Sequence, residues 1–271
     1  MNLNNFLITI TNLNIIEPLK KARISNFLFP LKQFCVGIEK TFTLNEIIEE
    51  NSFLFINRIL DEPSYLSLKE VFLNLPSNIK GIVFEDFGII TLAKEINLNV
   101  ELILSQSHFG TNYQSINENL AFVNSVVIST DITKEEIEHI LKEAKKPLVY
   151  NLFGLIPGMY SRRTLLKNFE IEYKTKKENS VLLTEQVTKR EFIAVENEFG
   201  TVLYHGKYLN GILNAPLENI KFYWIHPLLL SNETILRLLD YIVNKKEIDF
   251  LSTDDGFLNR KTIYRLGEKN K

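Results

Sequence analysis

The sequence predicts an α/β fold, built as a (β/α)8 TIM-type barrel with a β-hairpin-containing insertion after the seventh strand. Three observations carry that reading. Short β-branched runs alternate with helical patterns, the alternation yields eight strand units, and 271 residues suit one barrel, which typically takes about 250. Strands separated by helices form parallel sheets with right-handed crossovers. A doubly wound open sheet would place a Gly-x-Gly-x-x-Gly run after the first strand, and none follows FLITI (6–10).

That first run, FLITI, is a strand by its β-branched content, and residues 15–22 form a helix with Leu19 on its apolar side. NFLFP (26–30) is a second strand, stopped by proline. TLNEIIEE starts a helix at Thr43, where Glu46 completes a capping box. SFLFINR (52–58) is the third strand. The helix that begins at Ser64 puts Leu68, Val71, Phe72 and Leu75 on one face. GIVFE (81–85) leads into a helix over 89–96, VELIL (100–104) into one near 113–120, and SVVIS (125–129) into one over 133–144. Thr133 and Glu136 form a second capping box. PLVYNLF (147–153) and IKFYWIH (220–226) are the last two strands, the latter followed by a helix over 233–243 entered through Asn232. Residues 155–219 read as an insertion within a single domain spanning 1–271. In it EFIAVEN (191–197) and TVLYH (201–205) form a hairpin turned at Glu198, Phe199 and Gly200.

Composition narrows the chemistry. Cys35 is the only cysteine, which excludes an intrachain disulfide framework, a cysteine zinc site and a self-contained iron–sulfur cluster. A formal charge of −2 argues against a wholesale nucleic-acid coat and leaves room for a local basic patch. The opening MNLNNFLITITNLN lacks the cationic start of a signal peptide, and no stretch reaches the length of a membrane span. The expected setting is cytoplasmic, with no membrane partner.

In such a barrel the C-terminal strand ends face the active-site mouth. There the sequence places Asn57, Arg58, Glu85, Asp86, Gln106, His108, Asp131, Asn151 and His226. Asp, Asn and Ser at strand ends also cap helices, but as a ring these groups read as a binding site. The most informative segment is NLFGLIPGMYSRRTLL (151–166). Its glycines and Pro157 predict a loop, after which Tyr160, Ser161, Arg162 and Arg163 present a phenol, a hydroxyl and two guanidiniums. Adjacent arginines suit a carboxylate or phosphate through their planar forks of donors; a solvated basic turn is the bland alternative. Tyr150 and Tyr160 are candidates for the walls of a planar-ligand site.

The same segment resembles the signature of the U32 peptidase family, roughly His-Gly-x-x-Cys-x-x-Tyr-Ser-Gly-x-Cys-x-x-Ser after a barrel strand. Gly154, Tyr160 and Ser161 match. Phe153 replaces the His, Pro157 and Thr164 stand at the cysteine positions, and Arg162 replaces the second Gly. GIVFEDFG (81–88), LSQSHFGTN (104–112), ISTDITKEEI (128–137) and GFLNRKTIYR (256–265) are similar to further motifs of the family. The family name implies collagenase-like proteolysis. Yet several members resemble enzymes that hydroxylate RNA bases, including the tRNA wobble uridine, in a prephenate-dependent way. Others hydroxylate a quinone precursor using iron–sulfur clusters. With no cysteine at 157 or 164, this chain looks most like the cysteine-poor members found beside a longer paralogue, which resemble tRNA uridine 5-hydroxylation proteins.

The leading expectation is a part in prephenate-dependent hydroxylation of tRNA wobble uridine, without an iron–sulfur cluster or metal in this chain. The expected catalytic residues are Glu85, Asp86, Tyr160 and Ser161. Asn57, Arg58, Gln106, Asn151, Arg162, Arg163 and His226 are expected to bind substrate, the two adjacent arginines holding a carboxylate or an RNA phosphate. The basic run KTKK (174–177) would add phosphate contacts. Two alternatives stand beside this. One is a peptidase, using Ser161 as nucleophile or a metal held by His108 and His226 with Asp86 or Glu85. The other is a non-catalytic subunit partnering the longer paralogue.

Overall fold

Strands buried on both faces need apolar side chains within and helices outside, and the chain supplies both. The computed structural model describes residues 3–106, 108–175, 179–244 and 246–260. Its first half follows the predicted alternation: β1 (Phe6–Thr9), α1 (Ile16–Lys21), β2 (Asn26–Pro30), β3 (Ser52–Ile56), α2 (Glu62–Leu73), β4 (Ile79–Phe84) and α3 (Gly88–Glu95). Then come β5 (Glu101–Leu104), α4 (Tyr113–Asn119), β6 (Ser125–Val126), α5 (Lys134–Glu143) and β7 (Leu148–Gly154). The inserted region holds β8 (Pro157–Ser161), α6 (Leu165–Tyr173), β9 (Ser180–Thr184), β10 (Glu191–Asn197), β11 (Gly200–His205) and β12 (Tyr208–Asn210). β13 (Ile220–His226), α7 (Asn232–Val243) and β14 (Thr253–Asp254) complete the order.

The result is a mixed α/β fold with a curled, mostly parallel sheet. Ten strands follow the order β14-β12-β7-β13-β1-β2-β3-β4-β5-β6. The sheet curls until β6 meets β7 at one parallel bridge, Val127 to Val149, where the Ile128 N–H donates to the Val149 carbonyl at 2.9 Å. A second sheet, β8-β11-β10-β9, is antiparallel. It contains the predicted hairpin, with Asn197 opposite Gly200. No helix among the described residues is long and apolar enough to cross a membrane.

Several elements depart from the sequence pattern. The crossover from β2 to β3 holds a single 3-10 turn, Leu44–Glu46, where a helix from Thr43 is predicted. Its capping box is intact, the Thr43 N–H and hydroxyl each donating to Glu46 Oε2 at 2.8 Å. Ile47 is buried but Ile48 is exposed, so a longer helix would bury too little to offset its nucleation. α2 starts ahead of Ser64, because Asp61 accepts the Ser64 N–H at 3.1 Å and so serves as the cap. Ser231, not Asn232, caps α7. The loop predicted after β7 is largely the strand β8, paired with β11. Positions 176 and 177 of the basic run, and 261–265 of the last motif, lie outside the described residues.

Two apolar layers result. Phe6, Ile8, Leu54, Ile56 and Ile82 face outward and pack with Leu68, Phe72, Ile137 and Leu238 of the helices. Leu7, Phe53, Phe55, Val83, Ile103, Val127, Val149 and Trp224 face inward. Val195, Val202 and Tyr204 of the second sheet join the inner layer, as do Cys35 and Val36 from the segment after β2. The second sheet therefore roofs the interior of the first.

Candidate functional site

Successive strand residues point to opposite faces, and this decides which strand-end residues meet. On β13, Trp224 lies in the inner layer while Tyr223 and Ile225 lie in the outer one. His226 thus points inward. The same parity turns Asn57, Glu85 and Asn151 into a cavity of about 280 Å³ at the C-terminal strand ends, where Gln106 and Tyr160 join them. Phe55, Tyr204 and Trp224 supply aromatic wall.

Glu85 follows β4. Its carboxyl accepts no hydrogen bond among the described residues, and burial pushes it up to about 8. Desolvation disfavours the charged form, so at neutral pH Glu85 is chiefly a neutral acid and a donor. Gln106 donates its amide N–H to the Glu85 carbonyl oxygen at 3.3 Å, linking the ends of adjacent strands. Asn151 donates to the Ile128 carbonyl at 3.3 Å. Asn57 is spent on the fold, since its Oδ1 accepts the Val36 N–H at 2.8 Å and its Nδ2 donates to the Val36 carbonyl at 3.0 Å. His226 is buried, and burial pushes its imidazole down to about 3, leaving it neutral. Tyr160, on β8, closes the cavity from the roof; its phenol is raised by burial and held back by the Arg58 and Arg162 guanidiniums.

Other expected residues lie outside this cavity. Arg58 points away from it. Its guanidinium donates to the Gln33 carbonyl and to Ser64 Oγ, and it stacks 4.0 Å over the Phe199 ring. Asp86 accepts the Gly88 and Leu60 N–H groups, each at 2.7 Å, which makes it a backbone clamp. Ser161 Oγ accepts the Arg163 N–H at 3.1 Å. Arg162 is exposed and pairs with Asp61 at 3.0 Å, and Arg163 is exposed as well. Tyr150 is no wall residue, because its phenol donates to the Gly211 carbonyl at 3.3 Å within the outer layer. His108 lines the mouth but pairs with Asp131 at 2.7 Å. Among the described residues no three His, Cys, Asp or Glu side chains gather as a metal-holding group.

Sequence reasoning missed Thr9, Tyr204 and the segment at Cys35 and Val36. Thr9 was legible as the inward position of β1 two residues after Leu7. Tyr204 reaches the site through the roof and Val36 through the segment after β2, placements that local pattern does not reveal.

A model of peptidase family U32 matches residues 32–179. Among solved structures, the U32 peptidase Mk0906 is similar at TM-score 0.50 and 9% identity, over 84% of this chain and 93% of that one. The spore cortex-lytic enzyme SleL of Bacillus cereus is similar at TM-score 0.42 and 11% identity, over 90% of this chain and 74% of that one. A chitinase from Chromobacterium violaceum is similar at TM-score 0.42 and 7% identity, over 88% of this chain and 99% of that one. At 9% identity the likeness to Mk0906 is one of fold. No curated protein matches the sequence.

Proposed function

The chain belongs to peptidase family U32, and from that premise we propose that its mouth cavity receives a planar nucleobase, as part of prephenate-dependent hydroxylation of tRNA wobble uridine. One observation carries this reading: a neutral carboxyl, Glu85, sits in a cavity walled by aromatic rings and amides. Uracil is flat and uncharged, and it presents both carbonyl acceptors and a ring N–H. A protonated Glu85 donates to a ring carbonyl, and the Gln106 and Asn151 amide oxygens accept the ring N–H. Phe55 and Trp224 offer faces for stacking. With His226 also neutral, no fixed charge inside the cavity opposes a neutral ring.

In this reading Glu85 is the general acid, Tyr160 orients the base from the roof, and Arg162 and Arg163 hold a carboxylate or phosphate at the rim. Prephenate is the co-substrate. The chain has one cysteine, so an iron–sulfur cluster would reside in a longer U32 paralogue acting as its partner. The peptidase reading rests on the family name. Cys35 Sγ donates to the Phe55 carbonyl at 2.9 Å, and burial pushes the thiol up to about 12. Ser161 is engaged by Arg163. Neither side chain favours nucleophilic hydrolysis.

Mass spectrometry of tRNA nucleosides from a deletion strain tests the proposal. Hydroxylated uridines should fall on deletion, return with the wild-type gene, and stay low with Glu85→Gln. Unchanged nucleosides in the deletion strain would overturn it.

A further inference from the structure

A second cavity, of about 540 Å³, opens between the second sheet and the segment around Asp254. It shares Thr130 and Ile156 with the mouth cavity, so the two are neighbours separated by those residues. Its wall is charged, and the charges do not cancel. Arg260 pairs with Asp254 at 2.9 Å, and His108 pairs with Asp131 at 2.7 Å from the mouth side. Lys189, Arg190 and Lys207 have no ion pair among the described residues, and Glu191 and Asp131 are the wall carboxylates left to set against them. Three cations facing the two carboxylates Glu191 and Asp131 leave one net positive charge in a concave space, where walls of low dielectric focus the field. Thr130 Oγ1 is buried on the shared wall with no hydrogen-bond partner among the described residues. A buried hydroxyl without a partner is costly, and an acceptor oxygen placed beside it would remove that cost.

We propose that this second cavity is a phosphate site, taking the phosphate of a nucleotide whose base enters the mouth cavity. The inference rests on the nucleobase reading of the mouth and assigns the ligand's anionic end. Lys189, Arg190 and Lys207 neutralise the phosphate, and Thr130 donates to it or to the adjoining sugar across the shared wall. The phosphate belongs either to an RNA strand or to a free nucleotide.

Calorimetric titration of the full chain with uridine, uridine 5′-monophosphate and a short single-stranded oligouridylate, at low and moderate salt, tests this. The variant is Lys189→Ala/Arg190→Ala/Lys207→Ala; all three side chains are exposed, and a thermal melt checks that the fold is retained. The phosphate-bearing probes should bind the variant about tenfold or more weakly, with a flatter salt dependence, while uridine binds both proteins alike. Tighter binding of the oligouridylate than of the monophosphate assigns the site to an RNA strand, and equal binding assigns it to a free nucleotide. If uridine binds neither protein but the monophosphate binds the wild type alone, the phosphate site stands and the nucleobase reading falls. Equal affinity of wild type and variant for the phosphate-bearing probes overturns the proposal, as does their failure to bind the wild type.

Discussion

The Thr9 hydroxyl oxygen lies 2.8 Å from His226 Nδ1, joining β1 to β13 at the mouth. The same oxygen accepts the Trp224 indole N–H at 2.9 Å. One small hydroxyl thus orients both the histidine and the indole of the cavity wall. The imidazole is packed against Phe55 and Trp224, with ring centroids 5.7 and 5.3 Å away, which explains why burial keeps it neutral.

Thr9→Val preserves shape and removes the hydroxyl. It leaves a buried indole N–H and an imidazole nitrogen without their partner, each costing about 1–3 kcal/mol. Urea unfolding should show a loss of about 2–6 kcal/mol, largely recovered in Thr9→Ser. A valine variant as stable as the wild type would mean that the hydroxyl organises nothing.

Glu85 gives stability a pH dependence of a definite sign. Its carboxyl titrates near 8 in the fold against an ordinary 4.5. Below the ordinary value both folded and unfolded chains hold the proton. Between the two values the unfolded chain releases it first, so stability falls as pH rises, and above about 8 the loss is complete. Glu85→Gln is neutral throughout. The difference in melting temperature between variant and wild type should therefore move in the variant's favour across that window. Parallel profiles would show that Glu85 is ionised at neutral pH.

Parity along the strands made much of this site legible. Asn57 and Arg58 are adjacent in sequence, as are Glu85 and Asp86, and only the first of each pair lines the cavity. The inward Phe53-Phe55-Asn57 alternation already separates them. The alternation of strands and helices was equally plain, because each element carries its own apolar period. What local pattern does not hold is the roof. β8 finds its place only by pairing with β11, more than forty residues on, and the glycines and proline of the segment hid a strand there. Arg162 and Arg163 were expected to bind substrate by their nearness to β7, yet beyond β8 both are exposed and neither lines the cavity, Arg162 being paired with Asp61. The missing helix at Thr43 is a case of correct capping chemistry with too little apolar face behind it.

Two arginines should differ sharply in their effect on stability. Arg58 donates to Gln33 and Ser64 and stacks on Phe199 of the roof. A lysine cannot reproduce that fork and plane, so Arg58→Lys should cost about 1–3 kcal/mol. Arg162 makes an exposed pair with Asp61, so Arg162→Ala should stay within about 1 kcal/mol. Chemical denaturation of both variants checks the ranking. The reverse order would mean that the roof is not held through Arg58.

Gly154 and Gly158 lie four residues apart in the segment that leads to the roof, and the structure assigns them different tolerances. Gly154 has φ +152, and a Cβ there would lie 2.5 Å from the His226 carbonyl oxygen and 2.8 Å from His226 Cβ. Gly154→Ala should cost on the order of 1–3 kcal/mol in backbone strain, with a further penalty from pushing His226 off its contact with Thr9. At Gly158 the nearest atoms to a new Cβ are 3.6 Å away, an ordinary contact. Gly158→Ala should change stability by no more than about 0.5 kcal/mol. Melting curves give the first comparison, and calorimetric titration with uridine gives the second. Gly154→Ala should weaken uridine binding through His226, because the clash falls on the residue that lines the cavity. An alanine at 154 that leaves both stability and binding intact would show that β7 and β13 can separate at the mouth without cost, and that the position of His226 is not what shapes the site.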